Sequence, residues 1–333
     1  MRRLRALGPA VLATLGALAP ACLPNDTRTP PGSVVVNVVS DGVAAKGIPA
    51  SATSDGWSIA FDKVLVSLGN VSLDGDSCDV YSDSGYNRLF DVKVGGTQKV
   101  SVIYALGHCE VGFRVSSPNA DTVLGASTTD ADKTMMRTPG SDAFNAEAGT
   151  SIYVEGHATR GDTVESFAWS FRYRARYDRC AMNPALSGSS MTAPGIDLRS
   201  NVAESLLVEV SPGVLFADAL NTTVAQHRFQ VFADADAVTG NGDGVVTLDE
   251  LARVPLEKAG FADIGGAGDA GIFPGVEGFV GDADLVIRAE TPFDGGSQPS
   301  LEDYLYTVLF PGTIRYEGTG ACSVHLASRG LGD

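Results

Sequence analysis

Phe167-Ala168-Trp169-Ser170-Phe171-Arg172-Tyr173-Arg174 decides how this chain is read. Phe167, Trp169, Phe171 and Tyr173 fall on one side of a two-residue period, and Ala168, Ser170, Arg172 and Arg174 fall on the other. That period belongs to a pleated strand, and an all-aromatic face needs an apolar layer to cover it. The pattern predicts a strand over 164–177 that lies against the core.

Runs of the same character extend on both sides of it, at 34–40, 57–68 with a register change near Asp62, 88–94, 99–104, 109–116, 150–158 and 204–210. Gly, Asn, Asp and Ser clusters separate them. Short β-branched and aromatic runs punctuated in this way predict an antiparallel β-sandwich or open barrel over 34–212. The stretches 119–147 and 182–197 lack a period and read as exposed excursions. Arg172, Arg174, Arg176 and Arg179 form a basic cluster, with the first three on one strand face. They either receive a carboxylate or sulfated ligand or sit solvated in salt bridges with the acidic surplus, which is the commoner arrangement.

After residue 212 the pattern turns helical. Ala225, Phe229 and Phe232 recur at i, i+4 and i+7. They lead into Ala233-Asp234-Ala235-Asp236-Ala237-Val238-Thr239-Gly240-Asn241-Gly242-Asp243-Gly244-Val245-Val246-Thr247-Leu248-Asp249-Glu250-Leu251. From Asn241 onward the spacing is that of positions 3 to 12 of a calcium loop. Asn241 and Asp243 would supply side-chain oxygens, Gly244 the sharp turn, Val245 a carbonyl, Thr247 a direct or water-mediated contact and Glu250 a bidentate carboxylate. Thr239 stands where an aspartate belongs, so an acidic first ligand, Asp236 or failing that Asp234, requires a lengthened loop. The competing reading is an acidic turn with Asn-Gly and Asp-Gly corners, followed by an ordinary capping box of Thr247 and Glu250. Ser300 and Asp303 open a second capped helix, stopped by Pro311-Gly312. Residues 280–286 echo 232–238 but lack the glycine turn and the closing glutamate, so they form at most a degenerate partner.

The N-terminus carries Arg2, Arg3 and Arg5 before an apolar run at 10–18 that is too short to span a bilayer, the arrangement of a secretory signal over 1–21. An A-x-A site and a lipobox-like site cut the same bond before Cys22. Five cysteines are odd for a secreted chain. Lipidation of Cys22 leaves Cys78, Cys109, Cys180 and Cys322 for two disulfides, and nearness in sequence favours Cys78–Cys109 and Cys180–Cys322. The Pro-rich segment 22–33 would then be a tether. The chain would be lipid-anchored in a bacterial envelope; the A-x-A reading makes it secreted instead. Of 24 basic residues, loss of those three arginines leaves 21 against 40 acidic, a charge of −19. That balance argues against nucleic acid or an anionic membrane as partner, leaving the membrane contact to the lipid anchor alone.

The loop, with its Gly-Asn-Gly-Asp-Gly-Val-Val-Thr-Leu-Asp-Glu-Leu core, resembles the EF-hand superfamily over roughly 25 residues, and it is similar to bacterial extracellular and dockerin-like loops. The whole chain looks like surface lipoproteins of Gram-negative, especially myxobacteria-like, bacteria that join a β-rich region to one acidic EF-hand-like segment. The resemblance implies calcium at Asn241, Asp243, Val245, Thr247 and Glu250, and no activity.

His108, His157, His227 and His325 are scattered without zinc or copper spacing, and no Gly-x-Ser-x-Gly elbow marks a nucleophile. The expectation is therefore a noncatalytic, calcium-binding envelope lipoprotein. It is mainly β with a smaller α region, a sandwich over 34–212 followed by an EF-hand-like helical region over 213–333. The alternative is a surface module that binds a glycan or protein and keeps the loop as scaffold.

Overall fold

In β1 (Gly32–Ser40) Val34, Val36 and Val38 are buried while the residues between them are half-buried, as a two-residue period dictates. The computed structural model describes residues 29–82, 84–138, 149–172, 174–181, 195–217, 227–256, 300–306, 310–318 and 320–327. The signal segment, Cys22 and most of the tether, Tyr173 and the 280–286 echo lie outside the described residues.

Helix α1 (Val43–Lys46) follows β1, then come β2 (Ser58–Asp74), β3 (Cys78–Val80), β4 (Asn87–Asp91), β5 (Gln98–Val115) and β6 (Val123–Leu124). Next are α2 (Asp130–Arg137), β7 (Ile152–Arg160), β8 (Thr163–Phe171), β9 (Arg174–Ala181), β10 (Ile196–Leu198) and β11 (Ala203–Val210). The C-terminal third supplies α3 (Gln230–Asp234), β12 (Val245–Val246), α4 (Leu248–Leu251), α5 (Leu301–Tyr304), β13 (Ile314–Tyr316) and β14 (Ala321–Ala327). The protein is mainly β. Among the described residues the strands form one continuous sheet along β12-β8-β7-β2-β5-β1-β11-β13, with β9 beside β5 and β14 beside β9.

The register change expected near Asp62 is present, a shift between Phe61 and Lys63 against β7. The two runs at 99–104 and 109–116 are one strand. Its first half pairs with β1 and its last residues with β2 and β9, while Gly107, at φ 101°, carries the extended chain between them beside β3 and β10. The aromatic run is conversely two strands: β8 pairs with β7 and β12, whereas β9 pairs with β5 and β14. The sheet is mixed rather than wholly antiparallel, because β11 runs parallel to β1. Backbone hydrogen bonds from Ser33 N–H to the Val202 carbonyl and from Asn201 N–H to the Pro31 carbonyl make the two strands start together.

The expected excursion at 119–147 contains α2, opened by a capping box of Thr129 and Asp132 and seated by the fully buried Met136 on Leu65 and Leu89. The region after 212 is not only helical, since β13 extends the sheet at β11 and β14 pairs with β9. The disulfides are Cys78–Cys109 and Cys180–Cys322. Among the described residues no helix is long and apolar enough to cross a membrane.

Candidate functional site

The loop after α3 rests on the aromatic core. Trp169 lies 5.4 Å from Phe216 and 5.3 Å from Phe232, ring centre to ring centre, and Trp57 lies 5.2 Å from Phe229. All five rings are buried. Asp55, in the connection before β2, accepts the Phe229 and Gln230 N–H groups at 2.6 and 2.7 Å, capping α3 from 174 residues away in sequence. Trp57 Nε1 donates to Gln230 Oε1 at 3.0 Å.

Past Asp234 the helix widens into a π-turn over Ala235–Thr239, closed by Gly240 N–H on the Ala235 carbonyl at 2.8 Å. Such turns absorb extra residues in a helical segment and recur at functional sites. Here the turn stands directly before the corner of Gly242 and Gly244. Asp236 remains at the loop interior, 2 % exposed, and its carboxylate accepts Gly242 N–H and Gly244 N–H, each at 3.0 Å. Asp234 is exposed and faces back along α3, accepting Gln230 Nε2 at 2.7 Å. The structure thus brings Asp236, and not Asp234, to the loop.

Asn241 and Asp243 are exposed and hold the turn between them: Asn241 Oδ1 accepts Asp243 N–H, Asp243 Oδ1 accepts Val245 N–H, and Asn241 Nδ2 donates to Asp243 Oδ2 at 2.9 Å. Gly242 and Gly244 have φ of 67° and 80°, where a side chain would be strained. Val245 is exposed and Val246 buried, and the short strand they form lies parallel to β8. Trp169 Nε1 donates to the Val246 carbonyl at 3.0 Å. Thr247 and Glu250 make the expected capping box. Glu250 is 5 % exposed, and its Oε2 accepts Thr247 N–H at 2.9 Å while Oε1 accepts Asn241 N–H at 3.3 Å.

Sequence reasoning missed Glu165. It stands in β8 one residue before the Ser166–Val245 pair, and its Oε2 is buried with no hydrogen-bond partner. Burial first, then the charges of Asp236, Asp243 and Glu250, raises its pKa. Nothing local in Val164-Glu165-Ser166 marks it, because the pairing of β8 with β12 joins residues about 80 apart.

The donors are all oxygens, the chemistry of a hard cation. Each carboxylate oxygen keeps a lone pair after accepting one N–H. As they stand, however, no group of three His, Cys, Asp or Glu side chains among the described residues is placed to hold a metal ion. Asp236 and Glu250 are turned to backbone N–H groups instead. Elsewhere, His108 and His157 each meet one aspartate, Asp197 at 2.8 Å and Asp62 at 3.0 Å, which accounts for both as surface polar pairs.

No protein-family model matches the chain, and no curated protein matches it. Among solved structures it is similar to MbnP from Methylosinus trichosporium, with 16% identity and a TM-score of 0.25 over 57% of this chain and 78% of that one. A likeness of that degree bears on neither fold nor function.

Proposed function

We propose that residues 229–251 form a single, lengthened EF-hand-type calcium loop in a noncatalytic envelope lipoprotein, where calcium fixes the C-terminal third against the sheet. One observation carries this reading: the buried Asp236 carboxylate is tied through Gly242 and Gly244 to a loop whose other end is the buried Glu250. Asp236, Asn241, Asp243, the Val245 carbonyl, Thr247 and Glu250 would hold the ion, with Glu165 adding a carboxylate from the sheet. Bound calcium supplies the positive charge that these four acids lack. The short strand that a second EF-hand would pair with is paired here with β8, which favours a structural role over a sensor's opening.

Calorimetry in calcium and then in EDTA tests this. Extracellular sites bind at about 10⁻⁴ to 10⁻³ M, so 10 mM calcium should add about 1.4–2.7 kcal/mol. Glu250→Gln should remove most of that gain. An unchanged melting temperature in millimolar calcium would sink the reading.

A second reading rests on a separate observation. Tyr81 and Tyr104 are 37% and 46% exposed and share a backbone hydrogen bond at 2.8 Å, an aromatic surface suited to a glycan or protein partner. Loss of polysaccharide retention on affinity gels in Tyr104→Ala, with calcium stabilisation intact, would favour it.

A further inference from the structure

Where β2 passes from β7 to β5 along one edge, opposite β4, the sheet is opened by a bulge. Gly69 pairs with Arg114 and Ser72 with Gly112, so Asn70 and Val71 together oppose Phe113 alone. Bulges of this kind re-aim side chains beside binding sites. Asn70 takes a left-handed φ of 44°, and its side-chain amide is tied to Asn87 Oδ1 at 3.0 Å. At Gly112 a Cβ would meet Asp178 Oδ1 and Ser72 Oγ, each at 2.9 Å, so a side chain there would push both polar groups aside. The result is a cavity of about 280 Å³ lined by Asn70, Ser72, Ser84, Arg114, Arg176 and Asp178, with apolar and glycine surface between them.

Its electrostatics are unusual for a chain of net charge −16. Arg114 and Arg176 are direct cross-strand neighbours of β5 and β9. Like charges so placed repel unless an anion lies between or beside them. Asp178 answers only part of this, since both its oxygens lie 2.8 Å from Arg176 Nε. Among the described residues the Arg114 guanidinium has no ion-pair or hydrogen-bond partner. Ser84, 4 % exposed, lines the same cavity, and its Oγ is buried without a partner, a state that costs free energy unless something supplies the missing bond.

We infer that this cavity is a binding site for a small oxyanion, a carboxylate or phosphate, taken by Arg114 with Ser84 Oγ as donor and Arg176 beside it. Guanidinium is the group best matched to such oxygens. The volume lies just under the roughly 300–1,000 Å³ of drug-sized pockets, which limits the ligand to a solute about the size of a single acidic sugar or inorganic phosphate. The ligand surface is separate from the acidic loop and does not depend on it.

Titration calorimetry on the full mature chain, at fixed ionic strength, with glucuronate in one arm and inorganic phosphate in the other, tests the site and tells its two sources apart. Saturable one-to-one binding is expected in at least one arm, weakened roughly ten- to hundredfold by Arg114→Gln, the loss that follows removal of a charge-assisted contact. Ser84→Ala should weaken it less. Arg315→Gln removes the same charge from an exposed position on β13 and should leave binding unchanged. No saturable binding in either arm, or an equal loss in Arg315→Gln, overturns the proposal. A melting curve of Arg114→Gln like that of the parent excludes misfolding as the cause of a loss.

Discussion

The Asp236 carboxylate accepts the Gly244 N–H at 3.0 Å across eight residues, with a π-turn and a glycine corner between them. That bond ties Asp236, and not Asp234, into the loop, and the proposed calcium site separates the two aspartates by experiment. Asp236→Asn should abolish the calcium-dependent rise in melting temperature and should itself cost about 1–3 kcal/mol, because a buried acceptor of two N–H groups is altered. Asp234→Asn, at an exposed side chain, should change stability by less than about 0.5 kcal/mol and leave the calcium response intact.

Glu165 should show opposite effects in the two conditions. Its pKa is raised, by burial first and by the Asp236, Asp243 and Glu250 charges after it. A carboxyl with a raised folded-state pKa opposes folding at neutral pH, and the penalty fades as pH falls through that pKa toward the ordinary value of about 4.3. Glu165→Gln should therefore melt higher than the parent in EDTA at pH 7 and gain less from calcium. Scanning calorimetry in both buffers checks this; a mutant that melts lower in EDTA would contradict it.

The contact between α2 and the sheet sets a pH window. Lys63 Nζ donates to Asp132 Oδ1 at 2.6 Å from the bulge in β2. Burial alone would push the Asp132 carboxyl up, but the hydrogen bonds from Lys63 and Thr129 overcome it and lower its pKa. The hydrogen bond to Asp132 raises Lys63 in turn. The depressed acid contributes above its unfolded value of about 3.9 and loses that contribution as pH falls through the folded one. The raised amine contributes below about 10.4 and loses it as pH rises further. Asp132→Ala should cost about 1–2 kcal/mol, most of it the capping box, because the Lys63 side chain is about a third exposed and screened. Denaturant titrations should find that deficit flat between about pH 5 and 9 and shrinking below about 4.

The two disulfides should differ in worth. Cys78–Cys109 closes 31 residues and Cys180–Cys322 closes 142. Loop-closure entropy gives about 4 and 5 kcal/mol respectively. Replacing the second pair by serine should lower the midpoint of urea unfolding more than replacing the first.

Most of what could be read in the sequence was local. Val34, Val36 and Val38, the change near Asp62, and the Thr247–Glu250 and Ser300–Asp303 boxes each declare themselves within a few residues. What was not legible depends on distant pairing. The union of 99–104 with 109–116 follows from β3 and β10 lining the passage at Gly107, and the parting of β8 from β9 follows from their different partners. The α2 cap at Thr129 and Asp132 stood in plain view, but one turn of apolar contact through Met136 is too little to register as a period. At the loop, the spacing from Asn241 to Glu250 was readable. A lengthened loop already makes Asp236 the first choice for its opening acid, but the π-turn in which it lies was not readable, and neither was Glu165, because it depends on β8 meeting β12.

Cys180 and Cys322 bracket α3, the acidic loop, α4 and α5. A single peptide-bond cut anywhere between them opens the backbone without releasing a fragment. A protease in the surrounding medium would nick this protein rather than dismember it, and β14 would stay covalently tethered to β9 until a reductant arrived.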